Sequence, residues 1–249
     1  MSTVKSSQDL ALIRVAGQKL GRILSVASMK AVIGMTTSDL DDIISDLITT
    51  EDCTASFLGY DGFPRSSCLS INQQVVHGIP GTRMLADGDV LGIDVGLWYK
   101  GICVDGAVTI IIGQGSEEAE RLLECTKQAL FAGIRAIKPF RRVGSISQAI
   151  QQVAEENGLG IVRALTGHGV GHHVHEPPEV PNLGRIGDGA LLKPGMVLAI
   201  EPMFTLGSGD VLTEVDGWGI VTADGSLAAQ FEHTVIITAR GAEIVTLPV

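Results

Sequence analysis

The chain has 249 residues, and its 18 Lys and Arg against 28 Asp and Glu give a formal net charge of -10. A composition that is 45% hydrophobic and only 18% charged excludes intrinsic disorder, which requires low hydropathy and high charge. The lack of a basic excess argues against stable nucleic-acid binding. No apolar run approaches the roughly 20 residues that span a membrane. We therefore expect a soluble protein with a large core, built as one domain over residues 1–249.

The first half of the chain shows two helical patterns followed by strands. Apolar spacing predicts a helix over residues 7–29, and Thr36 to Asp39 supply the cap and first-turn acid of a second helix that begins at Thr37 or Ser38. A turn-rich loop follows at Phe57 to Pro64. Runs of β-branched and apolar residues then predict strands over 68–71, 89–97 and 104–112.

The same order repeats in the second half. Ser116 opens a helix that runs to about Ala136, and Ser145 to Gln148 form a capping box for another helix that ends before Gly158. Further strands are predicted near Ile161 and over 195–201, 214–221, 231–238 and 243–247. Two helices followed by strands, twice over, indicate two related halves of mixed α+β class.

Cysteine usage and the N-terminal segment indicate a reducing compartment. The four cysteines contain no C-x-x-C pair, and a chain of this length builds its core without a disulfide framework. The polar first ten residues lack the apolar stretch of a signal peptide. We therefore expect a cytoplasmic protein, with a monomer as the default oligomeric state.

Several carboxylates occupy positions where a core strand should be apolar. Asp94 and Asp105 face each other if the two central strands form a hairpin centred on Tyr99 and Lys100. Like charges so close are unfavourable unless a cation lies between them. A pair facing solvent on an irregular loop is an equal alternative. Glu201 ends an apolar strand, but taken alone it is better explained as a rim carboxylate that reaches solvent. Glu232 could simply occupy the solvent-facing side of the alternating strand over 231–238.

Four of the six histidines lie between Gly167 and His175, in a glycine-rich stretch that predicts a loop. Imidazoles beside such carboxylates favour metal chemistry. Oxygen-rich ligands with one or two imidazoles are typical of Mn, Fe, Co or Zn sites, whereas a Ca²⁺ site lacks His and a structural Zn²⁺ site uses Cys.

Ten short segments, in order along nearly the whole chain, together form a specific pattern. They are 59–64, 70–72, 77–80, 93–95, 166–171, 174–177, 193–196, 200–203, 216–218 and 229–234. This pattern resembles the type I methionine aminopeptidases. The resemblance implies the pita-bread (creatinase/aminopeptidase) fold, in which two pseudo-symmetric αβ halves surround a curved antiparallel sheet. The short N-terminus, and the lack of room for a helical insertion between His175 and Glu201, are similar to the minimal bacterial form.

The resemblance also implies a site with two divalent metal ions, drawn from Co, Mn, Fe, Zn or Ni. Asp94 would chelate one metal and His168 and Glu201 the other, with Asp105 and Glu232 bridging. The substrate would be a peptide with an N-terminal Met and a small second residue, such as a nascent chain at the ribosome. Water would attack the peptide carbonyl while Glu201 handles the proton and His175 stabilises the oxyanion. The remaining substrate contacts would come from His77, Tyr60, Phe63, Cys68 and Trp218.

The sequence departs from the family pattern at several places. Around the second metal-binding aspartate it reads Ile102-Cys-Val-Asp-Gly106, which alters the surroundings of that ligand. Phe57 and Val174 differ from the common residues, and we expect both to border the substrate pocket. The unusual His172 and His173 are interpreted as residues of the loop or rim.

Two other functions are compatible with the same fold. An Xaa-Pro aminopeptidase shares the chemistry, although such enzymes usually carry an extra N-terminal domain. A non-catalytic binding protein of this fold would have lost metal ligands, whereas all five implied ligand positions are filled here.

Overall fold

The computed structural model describes residues 4–247. Residues 1–3 of the polar N-terminal segment and the last two residues of the predicted domain 1–249 lie outside the described residues. The described residues contain four α-helices: α1 Ser7–Lys30, α2 Thr37–Thr50, α3 Glu117–Ala136 and α4 Gly144–Glu156. Over residues 4–247, no helix has the length and apolar character needed to cross a membrane.

Local capping starts three of the helices where the sequence predicts. Ser6 and Thr36 form capping boxes with Asp9 and Asp39, and Ser116 caps α3. The predicted capping box at Ser145 is wrong. Helix α4 begins at Gly144 without a side-chain cap, because backbone contacts from the 188–190 segment hold this end of the helix instead.

Fifteen strands, most of them short, complete the fold of the part of the chain that the structure describes. They are β1 Thr54–Ala55, β2 Cys68–Ile71, β3 Gln74–Val76, β4 Val90–Tyr99, β5 Ile102–Ile111, β6 Gly160–Ile161, β7 Thr166–Gly169, β8 Glu176–Pro181, β9 Val197–Ile200, β10 Met203–Thr205, β11 Val211–Thr213, β12 Ile220–Thr222, β13 Ala228–Gln230, β14 His233–Ile237 and β15 Ala242–Ile244. The predicted strand over 214–221 is wrong, because residues 214–219 form the turn between β11 and β12.

Two antiparallel sheets carry the two halves. In the first, β4 pairs with β1, β2 and β5; in the second, the order is β15-β14-β9-β7-β8. The halves join where the Glu232 N–H donates to the Ala107 carbonyl at 2.9 Å. There are also two smaller three-stranded sheets in the described residues, with the strand orders β13-β10-β6 and β11-β12-β3. The paired α+β halves agree with the predicted fold class.

The register of the central hairpin differs from the prediction. Tyr99 pairs with Ile102, so Asp94 lies opposite Ala107 and Asp105 lies opposite Gly96. The turn residues Lys100 and Gly101 both have positive φ, 49° and 81°, which is the two-residue turn that matches strand twist. The carboxylates are therefore diagonal neighbours on one face of the sheet rather than directly opposed.

The helices bury their apolar faces on the sheets. Leu20 and Ile44 of α1 and α2 belong to the core cluster of the first half, and Leu130 and Ile150 of α3 and α4 to that of the second. Gly17 in α1 marks a close approach, since a Cβ there would lie 2.5 Å from the Val245 carbonyl oxygen. The helices thus pack against the sheets and support the strands that carry the candidate site residues.

Candidate metal centre

Four carboxylates meet where the two sheets join. Asp94 and Asp105 project from β4 and β5, while Glu201 follows β9 and Glu232 precedes β14. Strands β9 and β14 pair with His233 opposite Ile200, so the two glutamates lie at the same end of that pair. The strand register therefore brings residues that are far apart in sequence to one point.

These carboxylates are buried, which excludes the solvent-facing alternatives. Exposures are 9% for Asp94, 3% for Asp105, 9% for Glu201 and 2% for Glu232. Burial raises the pKa of Asp105 to about 7. Burial, and then the negative charge of neighbours that include Asp105, hold the pKa of the other three well above their ordinary values. Four such groups cannot all be ionised in this space without positive charge.

His168 presents a metal-binding nitrogen toward this cluster. It lies on β7, so the prediction of a loop at this residue is wrong, although the residues after Gly169 do form one. Its Nδ1 lies 2.8 Å from the Gly169 carbonyl oxygen, and a carbonyl only accepts, so Nδ1 carries the hydrogen and leaves an Nε2 lone pair. Burial, followed by nearby His175, lowers the pKa of His168 to about 4, which keeps the ring neutral.

The residues present fit a divalent cation. The His168 Nε2 lies 3.4 Å from Glu201 Oε1, so the lone pair of a neutral imidazole faces a carboxylate acceptor. Within residues 4–247, Asp94 Oδ1 and Glu232 Oε1 are buried without a hydrogen-bond partner. Ligand atoms of Asp105, His168 and Glu232 lie within 4.8 Å of one another. Orphaned acceptors of oxygen and imidazole type are what a first-row divalent metal requires.

A cavity of about 280 Å³ opens onto the cluster. It is lined by every residue that the sequence predicted for the site: Tyr60, Phe63, Cys68, His77, Asp94, Asp105, His168, His175, Glu201, Trp218 and Glu232. Phe63 packs edge-on against Trp218 with ring centroids 5.1 Å apart, which makes one wall of the cavity aromatic. The cavity thus combines an apolar wall with an acidic, imidazole-containing floor.

Two further imidazoles border this space. His175 Nδ1 lies 2.9 Å from the Tyr60 hydroxyl, and its ring lies 4.4 Å from that of His168. Burial lowers the pKa of His175, and burial followed by the charge of His175 lowers that of His77. Both rings are therefore neutral near pH 7 and can donate or accept one hydrogen bond at each nitrogen.

The residues that depart from the family pattern lie in three different environments: the cavity, the core and the exposed loop. Phe57 lines the cavity, as predicted. Val174 is 1% exposed within the core cluster of the first half and is not among the residues that line the cavity, so the prediction that it borders the pocket is wrong. His172 and His173 are exposed on the loop.

Sequence reasoning missed the polar residues that hold the ligands. The Thr234 hydroxyl donates to the Asp105 carbonyl at 2.6 Å and accepts from the Asp105 N–H at 3.0 Å. Gln230 Nε2 donates to Glu201 Oε2 at 3.2 Å. Lys5 forms an ion pair with Glu176 at 2.6 Å. Thr234 and Gln230 lie within a matched segment, whereas Lys5 has no sequence signal that connects it to position 176.

Residues 11–239 match the profile of metallopeptidase family M24, and the chain belongs to that family. A methionine aminopeptidase of Clostridium perfringens is 47% identical over 99% of both chains. The crystal structure of a methionine aminopeptidase from Thermotoga maritima is 38% identical and covers 98% of both chains, with a TM-score of 0.96. Within the M24 family, the chain belongs to the methionine aminopeptidases.

A more distant structure shares only the fold. The prolidase from Pyrococcus furiosus is 21% identical with a TM-score of 0.78, and the match covers 98% of this chain but 65% of that one. At this identity the likeness concerns the pita-bread architecture alone.

Proposed function

We propose that this chain is a metal-dependent aminopeptidase that removes the N-terminal methionine from peptides with a small second residue. The observation that carries the proposal is a single cavity in which buried acceptors of Asp94, His168 and Glu232 meet an aromatic wall. Membership of the methionine aminopeptidases supports the same activity.

Asp94, Asp105, His168, Glu201 and Glu232 would hold two divalent metal ions. When bound, these ions supply Lewis acidity toward the scissile carbonyl and the attacking water. Glu201 would accept the proton of that water, since its carboxylate lines the cavity and its Oε2 is held in place by Gln230. A carboxylate within hydrogen-bond reach of the attacking water can act as a general base.

His175 would stabilise the developing oxyanion. If the Tyr60 hydroxyl donates to Nδ1 across their 2.9 Å contact, Nε2 of the neutral ring carries a hydrogen and can donate to the carbonyl oxygen of the substrate. His77 lines the same cavity and would contact the scissile amide nitrogen. Both roles need the neutral rings that burial favours.

The side chain of the substrate methionine would lie against Tyr60, Phe63, Cys68 and Trp218. A thioether makes favourable contacts with aromatic rings, and the Phe63–Trp218 pair offers an edge and a face. Nascent chains in the cytoplasm, where the initiator methionine is exposed, would be the substrates. The bound metal would be one of Co, Mn, Fe, Zn and Ni.

Peptide hydrolysis tests this proposal. Metal-loaded protein should release Met from Met-Ala-Ser faster than it releases the first residue from Xaa-Pro peptides. The variant Glu201→Ala should lose at least about 100-fold in kcat, whereas Glu156→Ala, an exposed carboxylate at the end of α4, should match the wild type. Preference for Xaa-Pro would favour the prolidase-type activity, and absence of turnover on both would favour a binding protein.

A further inference from the structure

The loop that carries His175 is fixed by a buried ion pair that the proposed mechanism does not use. Lys5 Nζ donates to both Glu176 oxygens, at 2.8 and 2.6 Å, and the two side chains are only 2% and 9% exposed. Breaking such a pair by removing one partner leaves an uncompensated buried charge. The pair therefore restricts the movement of the chain segments that contain Lys5 and Glu176.

Glu176 is attached to the loop through more than its own backbone. Its Oε1 accepts from the backbone N–H groups of His172 at 2.6 Å and His173 at 3.0 Å. Burial raises the pKa of Glu176, but the hydrogen bonds from Lys5 and from the His173 N–H outweigh burial and leave this pKa below its ordinary value. The ionised carboxylate thus ties Glu176, which follows His175, to residues 172 and 173, which precede it.

Lys5 is anchored on the other side. Its backbone N–H donates to the Gly195 carbonyl at 2.8 Å, next to β9, the strand that leads to Glu201. Its side chain lies against Gly171, where a Cβ would come within 2.6 Å of the Lys5 Cε. The Gly171 carbonyl in turn accepts from the Cys103 N–H at 2.7 Å. The loop is therefore held between β5, which carries Asp105, and the segment that leads through β9 to Glu201.

We propose that Lys5 is a positioning residue: its ammonium group fixes the Glu176 carboxylate, which fixes the 171–175 loop and so the place of His175 in the cavity. This inference rests on the proposed function, in which His175 contacts the reacting carbonyl. Because that contact develops in the transition state, loss of Lys5 lowers kcat and leaves KM nearly unchanged. A displaced catalytic group typically lowers the rate by about 10- to 100-fold.

The test compares Lys5→Met, which keeps the aliphatic stem, with Lys19→Met. Lys19 also lies near the start of the chain and pairs with a glutamate, Glu51, at 3.3 Å, but that pair does not touch the loop. For metal-loaded Lys5→Met, we expect kcat on Met-Ala-Ser to fall by at least about tenfold, while KM stays within about threefold of the wild-type value. In Lys5→Arg, most of the wild-type kcat should be kept. Lys19→Met should keep the wild-type kcat.

A second readout does not depend on turnover. The imidazole NMR signals of His175, assigned by their loss in His175→Gln, should shift in Lys5→Met and stay in place in Lys19→Met. If Lys5→Met does not fold, Glu176→Gln, which keeps the shape of the side chain, should show the same fall in kcat and the same shift. Unchanged kcat and an unchanged His175 signal in either folded variant would overturn the proposal. An inactive wild type would refute the proposed function instead, and the NMR comparison would still decide the position of His175.

Discussion

Replacing Asp105 by Asn should stabilise the metal-free protein, and the stabilisation should grow with pH. Asp105 is 3% exposed, and burial raises its pKa from 3.8 to about 7 in the folded state. A carboxyl with a raised pKa in the folded state binds its proton more tightly there than in the unfolded chain. The folded protein therefore loses stability as the pH rises from about 4 to about 7.

The magnitude follows from the two pKa values. At about 1.4 kcal/mol per pH unit, the difference between 3.8 and about 7 corresponds to about 4 kcal/mol at pH 7.5. At pH 5 only the interval from 3.8 to 5 contributes, which is about 2 kcal/mol. Asn has the shape of the protonated acid and no charge to bury. The advantage of Asp105→Asn over the wild type should thus increase by about 2–3 kcal/mol between pH 5 and pH 7.5.

Urea denaturation of chelator-treated protein at the two pH values measures this difference. The exposed Asp42 provides the control, since Asp42→Asn should show no comparable pH-dependent gain. With metal present the sign should reverse for Asp105→Asn, because the variant lacks a ligand. A metal-free Asp105→Asn protein that is no more stable than the wild type at pH 7.5, or that gains the same stability at both pH values, would show that the buried Asp105 carboxyl does not titrate as described.

Three further changes test other parts of the structure. Thr234→Val removes both hydrogen bonds to the Asp105 backbone, so calorimetric titration should show metal affinity reduced by about 10- to 100-fold; unchanged affinity would contradict this. Gly17→Ala should lower the unfolding free energy in urea by about 1–3 kcal/mol, because its Cβ would lie 2.5 Å from Val245 O, and a gain from helix propensity would contradict the close approach. Trp218→Ala should raise KM for Met-Ala-Ser by about tenfold in initial-rate assays, and an unchanged KM would exclude this ring from the pocket.

Local signals were sufficient to predict the helices and the long strands. Thr36 and Ser116 identify helix starts because their caps involve residues only three positions away. The sequence also predicted that Asp94 and Asp105 lie close together, but not the register in which strands β4 and β5 pair. The register depends on a turn with positive φ at Lys100 and Gly101, and a two-residue shift keeps the same side chains on the same face.

Interactions between distant segments were not predictable from the sequence. Strands of two to four residues, such as β7 around His168, are too short to show a periodic pattern. Val174 lies next to His175 in sequence but points into the core. The start of α4 depends on backbone contacts with the 188–190 segment, and the Lys5–Glu176 pair joins residues 171 positions apart. Only the folded chain reveals these contacts.

The most direct test of the central claim is to titrate metal into metal-free protein while measuring the release of methionine from Met-Ala-Ser. We expect no release without metal, and a rate that rises with bound metal and saturates for at least one of Mn, Co, Fe, Zn or Ni. Release at an equal rate by the metal-free protein, or none with any of these metals, would contradict it.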